Sequence, residues 1–311
     1  MDKYVVGIDV GGTKISIGVY SATMHCVSQC IFDTVAGEDA AINFKHIEEA
    51  IREFKKTWNI SAIGICTPGP ISIKRGEIVY IASLGWRNIQ VVRILSDMFG
   101  VPVAFDNDAN AAAYAERFVG AGKNLPAGKG NLIYVTVSTG IGAGIIVNDR
   151  ILHGSRDWAG EFGHIRIRPG GKACACGNDG CLEAYASGTA IMKAASSRLN
   201  RADINCAEIA SLAKAGNRVC QDIWEDMAAA LGQGLSILVQ LFDPHMIILG
   251  GGVMNAWPLF EEGVLRETAA GVYKDSLCGI SICCAFLKQD VGRIGAALLA
   301  WQKLNNNLWR T

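Results

Sequence analysis

The stretch of sequence that decides the fold is YVVGIDVGGTKISIGVY, from Tyr4 to Tyr20. Tyr4 to Ile8 is an apolar strand that runs into DVGGTK, and Ile15 to Tyr20 continues as a second strand rather than as a helix. Both the Walker A loop and the dinucleotide-binding fingerprint need a glycine turn that opens into a helix. The segment therefore predicts a strand–turn–strand hairpin and excludes both of these templates.

The same arrangement occurs again farther along the chain. Leu132 to Val137 is a strand, STGIGAG is a turn and Ile145 to Val147 is another strand, which indicates an internal repeat. A third glycine turn, Gly250 to Gly252, follows the apolar strand Met246 to Leu249. Glycine turns at strand ends can present backbone amides to phosphates. A plain tight hairpin is the alternative explanation for the first turn.

Helical patterns separate these strands. Apolar residues recur at helical spacing in Ile42 to Trp58, and DNDANAAAYAERF follows the strand Val101 to Phe105 with capping residues, so a helix should begin close to Asp108. Further helices are predicted at Glu183 to Ser197, Asp222 to Leu241 and Arg293 to Leu304.

This order of elements predicts an α/β protein with two related lobes and a cleft between them. The predicted small N-terminal lobe covers residues 1–117, and a C-terminal helix at 295–311 packs back onto it. The predicted large lobe covers residues 118–294.

Composition limits the classes of function. Among 311 residues, Lys plus Arg and Asp plus Glu both number 29, so no charge excess predicts binding to nucleic acid or to an anionic membrane. The first residues lack the pattern of a secretory signal, and no apolar run is long enough for a membrane span. Eleven cysteines, an odd number, are typical of reduced thiols, which favours the cytoplasm.

Three of those cysteines lie in CACGNDGCLE, from Cys174 to Glu183. Thiolates spaced in this way can hold one soft metal ion, and His164 in AGEFGH completes a Cys3His zinc site with Cys174, Cys176 and Cys181. The alternative is three reduced thiols in a glycine-rich loop. If zinc is bound, Glu161 and Glu183 are both held on the metal loop, where they could bind adjacent hydroxyls of a sugar.

Two aspartates are candidates for the chemistry of phosphate transfer. Asp9 can hold the waters of a magnesium ion that accompanies ATP, next to the Thr13 hydroxyl. Asp108 lies where a helix N-terminus favours the ionised carboxylate, so it could accept a proton from a hydroxyl. Simple helix capping is the alternative role of Asp108.

Six motifs occur in the order and at about the spacing found in the ROK family of bacterial sugar kinases and repressors: DVGGTK, DNDAN, VSTGIGAG, AGEFGH, CACGNDGCLE and LGGGV. The chain therefore resembles that family from Tyr4 to about Ala300. The resemblance implies the actin-like ATPase fold, with ATP, Mg²⁺ and structural zinc as cofactors and a homodimer as the assembly. It implies Asp108 as the general base. The sugar-binding positions that it implies are Gly69, Asn107, Glu161, His164 and Glu183. The nucleotide-binding positions that it implies are Asp9, Gly11, Gly12, Thr13, Lys14, Thr139, Gly140, Gly251 and Gly252.

The expected activity is ATP-dependent phosphorylation of a hexose, with glucose at O6 as the first choice. Ser83 stands where many family kinases carry an Asn, and Asp157 and Trp158 stand where glucokinases commonly carry a Gly and a small or medium residue. An N-acetylhexosamine such as N-acetylmannosamine, or another hexose, is therefore an alternative substrate. A sugar-sensing repressor is a further alternative, although repressors of the family carry a preceding DNA-binding domain, and here Asp9 lies near the first residue.

Overall fold

The computed structural model describes residues 2–37 and 39–305. Two compact units divide the chain. The first lies within Met1–Gly130, Gly144–Ala159 and Phe286–Thr311, and the second within Asn131–Ala143 and Gly160–Ala285. The α/β class predicted from the sequence is confirmed.

Strands and helices alternate along the described residues. In chain order the strands are β1 (Tyr4–Val10), β2 (Lys14–Tyr20), β3 (Cys26–Asp33), β4 (Ile60–Thr67), β5 (Ile71–Ser72), β6 (Glu77–Ile81), β7 (Trp86–Ile89), β8 (Val103–Asn107), β9 (Leu132–Val137), β10 (Ile141–Val147), β11 (Arg150–Ile151), β12 (Met246–Gly250) and β13 (Ser281–Cys284). The α-helices are α1 (Ala41–Lys55), α2 (Val91–Phe99), α3 (Asp108–Phe118), α4 (Glu183–Ala186), α5 (Gly188–Leu199), α6 (Cys206–Lys214), α7 (Arg218–Phe242), α8 (Glu261–Gly271) and α9 (Val291–Asn305). Short 3-10 helices cover Phe162–His164, Gly252–Leu259 and Lys288–Asp290.

The main sheet of the first unit has the strand order β3-β2-β1-β4-β8. Strands β1 and β2 pair antiparallel with Asp9 opposite Ser16, which confirms the predicted hairpin. Strands β1, β4 and β8 run parallel, and their register places Asp9 beside Cys66 and Cys66 beside Asp106. The carboxyl ends of these three strands therefore meet at one edge of the sheet, the edge at which open α/β sheets bind ligands.

Each face of this sheet packs against helices. Val6, Ile8 and Val10 belong to an apolar cluster with residues of α1 and α2, whereas Val5 belongs to a second cluster with Ala297 and Ala300 of α9. This division follows the alternation of side chains along a strand. Helix α9 thus returns the C-terminal part of the chain to the first unit. Of the helix predicted at 295–311, residues 306–311 lie outside the described part.

Two glycines let α9 approach this sheet closely. A Cβ on Gly64 would lie 1.7 Å from the carbonyl oxygen of Ala296, and one on Gly7 would lie 2.0 Å from that of Arg293. Both obstacles are backbone atoms of α9, so a rotamer change cannot relieve them.

We expect Gly64→Ala to lower the free energy of unfolding by about 3 kcal/mol or more, because overpacking against backbone outweighs the ~1 kcal/mol gained by restricting the unfolded chain. Urea unfolding of the purified protein measures the difference. Ser61→Ala on the same strand is the control and should change stability by less than ~1 kcal/mol. Equal stability of the two variants would contradict this account of the packing of α9.

The buried side chain of Arg117 extends the first unit beyond α3. Its Nε lies 2.5 Å from Asp149 Oδ1, and its Nη1 donates to the carbonyl of Gly122 at 2.9 Å. These contacts tie the segments 118–130 and 144–159 to the helix that carries Arg117. The lobe boundary near Arg117 stays a prediction, while the compact unit itself continues to Gly130.

The second sheet has the strand order β11-β10-β9-β12-β13. Strands β9, β12 and β13 are parallel neighbours. Strand β10 begins in the second unit and ends in the first, where it pairs with β11. The predicted repeat of the strand–turn–strand arrangement is present, but the second turn is shorter than predicted. Because Ile141 to Gly144 already belong to β10, only Ser138 to Gly140 form the turn.

The helix predicted at Glu183 to Ser197 was wrong in one respect, because it is broken after Ala186. Ser187 has an extended backbone and its side chain accepts from the N–H of Ala190, so it ends α4 and caps α5. The other predicted helices are present within a few residues of their expected bounds. No helix among residues 2–37 and 39–305 has the length and apolarity that crossing a membrane requires.

Candidate functional site

The edge formed by β1, β4 and β8 carries the predicted base. Asp108 is the first residue of α3, and Asn107 is its N-cap, whose side chain accepts from the N–H groups of Ala109 and Asn110. Asp108 Oδ1 also accepts from the N–H of Ala109 at 2.8 Å. Because Asn107 fills the capping role, capping alone does not explain why a carboxylate follows it.

Asp9 lies on the same edge, close enough to Asp108 for their charges to repel. Burial and, after it, the charge of Asp108 together raise the pKa of Asp9 to about 7, although the Cys66 thiol and Arg293 act to lower it. The Asp9 carboxylate also packs against the start of α9, since a Cβ on Gly292 would lie 2.3 Å from Asp9 Oδ2. Two carboxylates held together in this way favour a cation between them.

This pKa predicts how Asp9 affects stability. In the unfolded chain Asp9 titrates near 3.8, so between that pH and about 7 the folded state binds more protons and stability falls as the pH rises. We therefore expect Asp9→Asn to raise the free energy of unfolding at pH 8 by about 1 to 4 kcal/mol, since each pKa unit corresponds to about 1.4 kcal/mol. The gain should shrink toward pH 5.

Urea unfolding at pH 5 and pH 8 without nucleotide or Mg²⁺ measures this gain. Asp97→Asn, at an exposed position in α2, changes the net charge equally and serves as the control. A gain that is the same at both pH values would show that ionised Asp9 does not strain the folded state.

The remaining predicted positions of the first unit lie around this edge. A Cβ on Gly69 would lie 3.6 Å from Asn107 Nδ2, so the Gly69 backbone is next to the Asn107 side chain. In the loop after β1, the hydroxyl of Thr34 donates to the carbonyl of Gly11 at 2.9 Å, and a Cβ on Gly12 would lie 3.2 Å from Ser83 Oγ. The structure therefore places Ser83 against the predicted phosphate loop.

The side chain of Asp157 is bound to the backbone of a neighbouring segment. It has a positive φ of 63°, and its Oδ2 accepts from the N–H of Ile73 at 2.9 Å. Trp158 is 53% exposed, with the Arg156 guanidinium over its ring. Asp157 thus fixes the segment that follows Gly69, while an effect of either residue on substrate choice stays a prediction.

In the second unit, the turn from Ser138 to Gly140 is held by the start of α5. The N–H of Gly188 donates to the carbonyl of Ser138 at 2.7 Å, and the hydroxyl of Thr189 donates to the carbonyl of Thr139 at 2.8 Å. This turn lines a cavity of about 730 Å³, together with Glu183 and the cations Lys172, Lys193 and Arg198.

Gly251 and Gly252 are not part of that cavity's lining. Gly251 has a φ of +90°, and a Cβ there would lie 2.3 Å from the carbonyl of Val137 at the end of β9. This close approach to Val137 requires glycine at position 251.

The side chain of Glu183 contacts the end of the same turn. Its Oε2 accepts from the N–H of Ile141 at 2.8 Å, and a Cβ on Gly140 would lie 2.5 Å from that oxygen. Since Glu183 follows Cys181 by two residues, this hydrogen bond links the predicted metal loop to the turn that carries Thr139 and Gly140.

His164, Cys174, Cys176 and Cys181 form the predicted ligand cluster, and their ligand atoms all lie within 4.8 Å of one another. Cys174 Sγ is 3.7 Å from His164 Nδ1, and Cys176 Sγ is 3.6 Å from Cys181 Sγ. Bonds of about 2.3 Å to zinc in a tetrahedron separate two sulfurs by about 3.8 Å, so these distances fit a zinc ion.

The chemistry of Cys176 also fits a metal ligand. A backbone hydrogen bond from Asn178 lowers the pKa of Cys176 to about 7, with smaller contributions from Cys174, Cys181 and His164 that work against burial. Thiolates are the form of cysteine that binds zinc. His164 presents Nδ1 to the cysteines, and its Nε2 lies 4.0 Å from Glu161 Oε2, so Glu161 and His164 are neighbours beside the cluster.

Three residues near the site were not predicted from the sequence. His153 Nε2 lies 2.8 Å from the acceptor Asp106 Oδ2, Gly292 makes room for Asp9, and Ser187 caps the helix that holds the second turn. Only Gly292 had a signal, because two glycines at the start of an apolar helix, in VGRIG, indicate a close approach of another group. His153 and Ser187 depend on contacts that no local pattern predicts.

Comparison with known proteins identifies the family. The model of the ROK family matches residues 5–303. The chain belongs to the ROK family. The glucokinase of Streptomyces coelicolor is 33% identical over 95% of this chain and 96% of its own length. The xylose repressor of Bacillus subtilis is 31% identical over 87% of this chain and 70% of its own length.

Two solved structures extend the comparison. The ROK hexokinase from Thermus thermophilus is 34% identical with a TM-score of 0.84, covering 98% of this chain and 100% of that one. A ROK family glucokinase from Streptomyces griseus, solved with glucose and AMPPNP, is 30% identical with a TM-score of 0.81, covering 96% of this chain and 99% of that one. This ROK protein therefore has the actin-like ATPase fold of the ROK sugar kinases, as its sequence predicted.

Proposed function

We propose that this ROK protein is an ATP-dependent sugar kinase that transfers the γ-phosphate of ATP to a hexose, with glucose at O6 as the preferred acceptor. The observation that carries this proposal is the position of Asp108, in the first turn of α3 behind the Asn107 cap and within electrostatic range of Asp9. The glucokinase and hexokinase relatives support the same class of reaction.

In this reaction Asp108 orients the sugar hydroxyl and accepts its proton. Phosphoryl transfer passes through a loose transition state, so the proton leaves late and an ordinary carboxylate is basic enough. The sugar is contacted by five residues, the last of them through its backbone: Asn107, Glu161, His164, Glu183 and Gly69. The turns at Gly11 to Lys14, at Thr139 and Gly140, and at Gly251 and Gly252 hold the phosphates through backbone amides.

Mg²⁺ and zinc are the proposed metals. Asp9 would hold Mg²⁺ through water, where the ion neutralises charge on the phosphates. His164, Cys174, Cys176 and Cys181 would hold zinc as a structural ion. The role of this cluster is to orient His164 and Glu161 on one side and, through Glu183, the start of β10 at Ile141 on the other.

A second substrate class is favoured by one observation. Ser83 replaces the Asn that many family kinases present to the sugar, and its hydroxyl lies against Gly12 in the first phosphate loop. The shorter side chain leaves room for a larger acceptor such as N-acetylmannosamine. A repressor role has less support, since Lys plus Arg and Asp plus Glu are equal in number and no charge excess favours DNA. A homodimer in the cytoplasm stays our prediction.

A coupled ADP-release assay tests the function. Glucose, mannose, fructose, allose and their N-acetylamino relatives are compared at equal concentration with MgATP. We expect the largest kcat/KM with glucose, while a larger value with N-acetylmannosamine would assign the second class. No ADP release with any sugar would overturn the kinase proposal.

A further inference from the structure

A second cavity, of about 1000 Å³, lies within the first unit. Its lining comes from the segment after β5, from α2, β8, α3 and β11 with its flanking residues, and from the end of α9. Asp106 is part of the lining, whereas Asn107 and Asp108 are not. The volume suits a small molecule, and neither the sugar nor the nucleotide positions proposed above account for it.

Cationic side chains dominate this cavity. Five of them line it against two carboxylates, and the cations are Lys74, Arg75, Arg93, Arg150 and Lys303. Arg75 pairs with Glu77. The other four form no ion pair among residues 2–37 and 39–305.

The two carboxylates of the lining are already engaged. Asp149 accepts from Arg117 and from the N–H groups of Gly128 and Gly130. Asp106 is 3% exposed and accepts from the N–H of Asn107 and from Asn110. The cavity therefore presents a positive field with little internal compensation, which is the electrostatic setting for a multiply charged anion.

Phosphate is the anion that this set of donors fits. Arg93 and Arg150 are guanidinium forks that can bind two oxygens of one phosphate, and Lys74 and Lys303 add point charges. All four are on exposed parts of their elements, so a ligand can enter from solvent.

One buried carboxylate connects this cavity to the proposed base. His153 lines the cavity, and its Nε2 lies 2.8 Å from Asp106 Oδ2. The other oxygen of Asp106 accepts from the N–H of Asn107 at 2.8 Å and from Asn110 Nδ2 at 2.9 Å. Asn107 in turn caps α3 and immediately precedes Asp108.

We propose that this cavity is a binding site for a small phosphate-bearing anion and that the bound anion acts on Asn107 and Asp108 through the His153–Asp106 pair. A phosphate group near His153 competes with Asp106 for the hydrogen bond of the His153 imidazole. When that bond is lost, the hydrogen bond that Asp106 accepts from the N–H of Asn107 changes. His153 is a positioning residue in this scheme. The binding step stands by itself, whereas the effect on turnover rests on the proposed kinase function.

Binding is tested on the full chain by isothermal titration calorimetry with inorganic phosphate and, separately, with glycerol 3-phosphate. A saturating non-hydrolysable ATP analogue keeps the probes out of the nucleotide turns. We expect Arg93→Glu/Arg150→Glu to weaken binding at least about tenfold, since two charged contacts are lost. Lys214→Glu/Arg218→Glu, on exposed parts of the second unit, changes the net charge equally and should stay within about twofold of wild type.

The two probes distinguish the source of the anion. Equal affinities would show that the site recognises the phosphate group alone, and tighter binding of the ester would show that it also contacts the substituent. Arg93→Gln/Arg150→Gln repeats the test without charge reversal and should also lose affinity. Wild-type affinity in both Arg93/Arg150 variants, or no binding of either probe to wild type, would overturn the site.

Coupling is measured by the effect of a saturating probe on kcat with saturating ATP and sugar. We expect at least a twofold change in wild type and none in His153→Gln, which should still bind the probe. A probe that binds wild type without changing kcat would overturn the coupling. If no sugar is turned over at all, the kinase proposal fails, while the calorimetric comparison still decides the anion site.

Discussion

Asp108→Asn should lower kcat with the preferred sugar by about 10² to 10⁴-fold, the usual contribution of a positioned general base. The amide keeps the size of the carboxylate and can still accept a hydrogen bond from the N–H of Ala109, so α3 should start at the same residue. Only the ability to take the hydroxyl proton is lost. Sugar affinity, measured by calorimetry, should therefore change by no more than a few fold.

Two further variants separate this role from general charge effects. Asp97→Asn, at an exposed position in α2, removes one negative charge elsewhere and should retain near wild-type kcat. Asn107→Ala removes the cap of α3, which we expect to cost about 1 kcal/mol of stability in addition to activity. A kcat of Asp108→Asn within tenfold of wild type, with intact sugar affinity, would remove Asp108 from the role of base.

Removal of zinc should abolish sugar phosphorylation. The purified protein is expected to contain about one zinc ion per chain, and either a strong chelator or Cys176→Ser should lower that content and kcat/KM together by at least about 10²-fold. The physical reason is that the cluster fixes His164 next to Glu161. It also fixes Cys181, which lies two residues before Glu183, and Glu183 accepts a hydrogen bond from the N–H of Ile141.

Cys278→Ser is the matched control, because Cys278 is exposed and lies outside the cluster. It should keep both zinc content and activity. Metal analysis and the ADP-release assay on the same samples provide the comparison, and adding zinc back after chelation should restore activity. Full activity in protein shown to be free of zinc would contradict the proposed role of the cluster.

Sequence patterns were sufficient to predict the structure wherever it depends on residues close together in the chain. The strand–turn–strand arrangement at Tyr4 to Tyr20 was predictable from the sequence because two apolar segments joined by a glycine turn specify a hairpin locally. The start of α3 at Asp108 was readable because capping is local. The three cysteines of the candidate metal cluster were predictable from the sequence because cysteines within eight positions must be close in space.

Local rules failed where a distant contact decided the outcome. The apolar pattern from Glu183 to Ser197 is helical throughout, yet Ser187 breaks it because Gly188 and Thr189 bond to the turn at Ser138 and Thr139. The STGIGAG string was expected to be a turn, but pairing within the second sheet draws its last residues into β10. Tertiary hydrogen bonds overrode propensity in both places.

The sequence by itself determined the α/β class, the hairpin at DVGGTK, its repeat and the family to which the chain belongs, and it predicted which four residues form the Cys/His cluster. Only the tertiary structure decided that Asp9 and Asp108 share one sheet edge, that Asp106 joins His153 to Asn107, and that cations from four separate segments line one cavity. Glycine turns, helix caps and ligand spacings depend on a few neighbouring residues and can therefore be predicted from the sequence. Charge proximity and desolvation depend on which distant segments pack together, so they exist only in the folded chain.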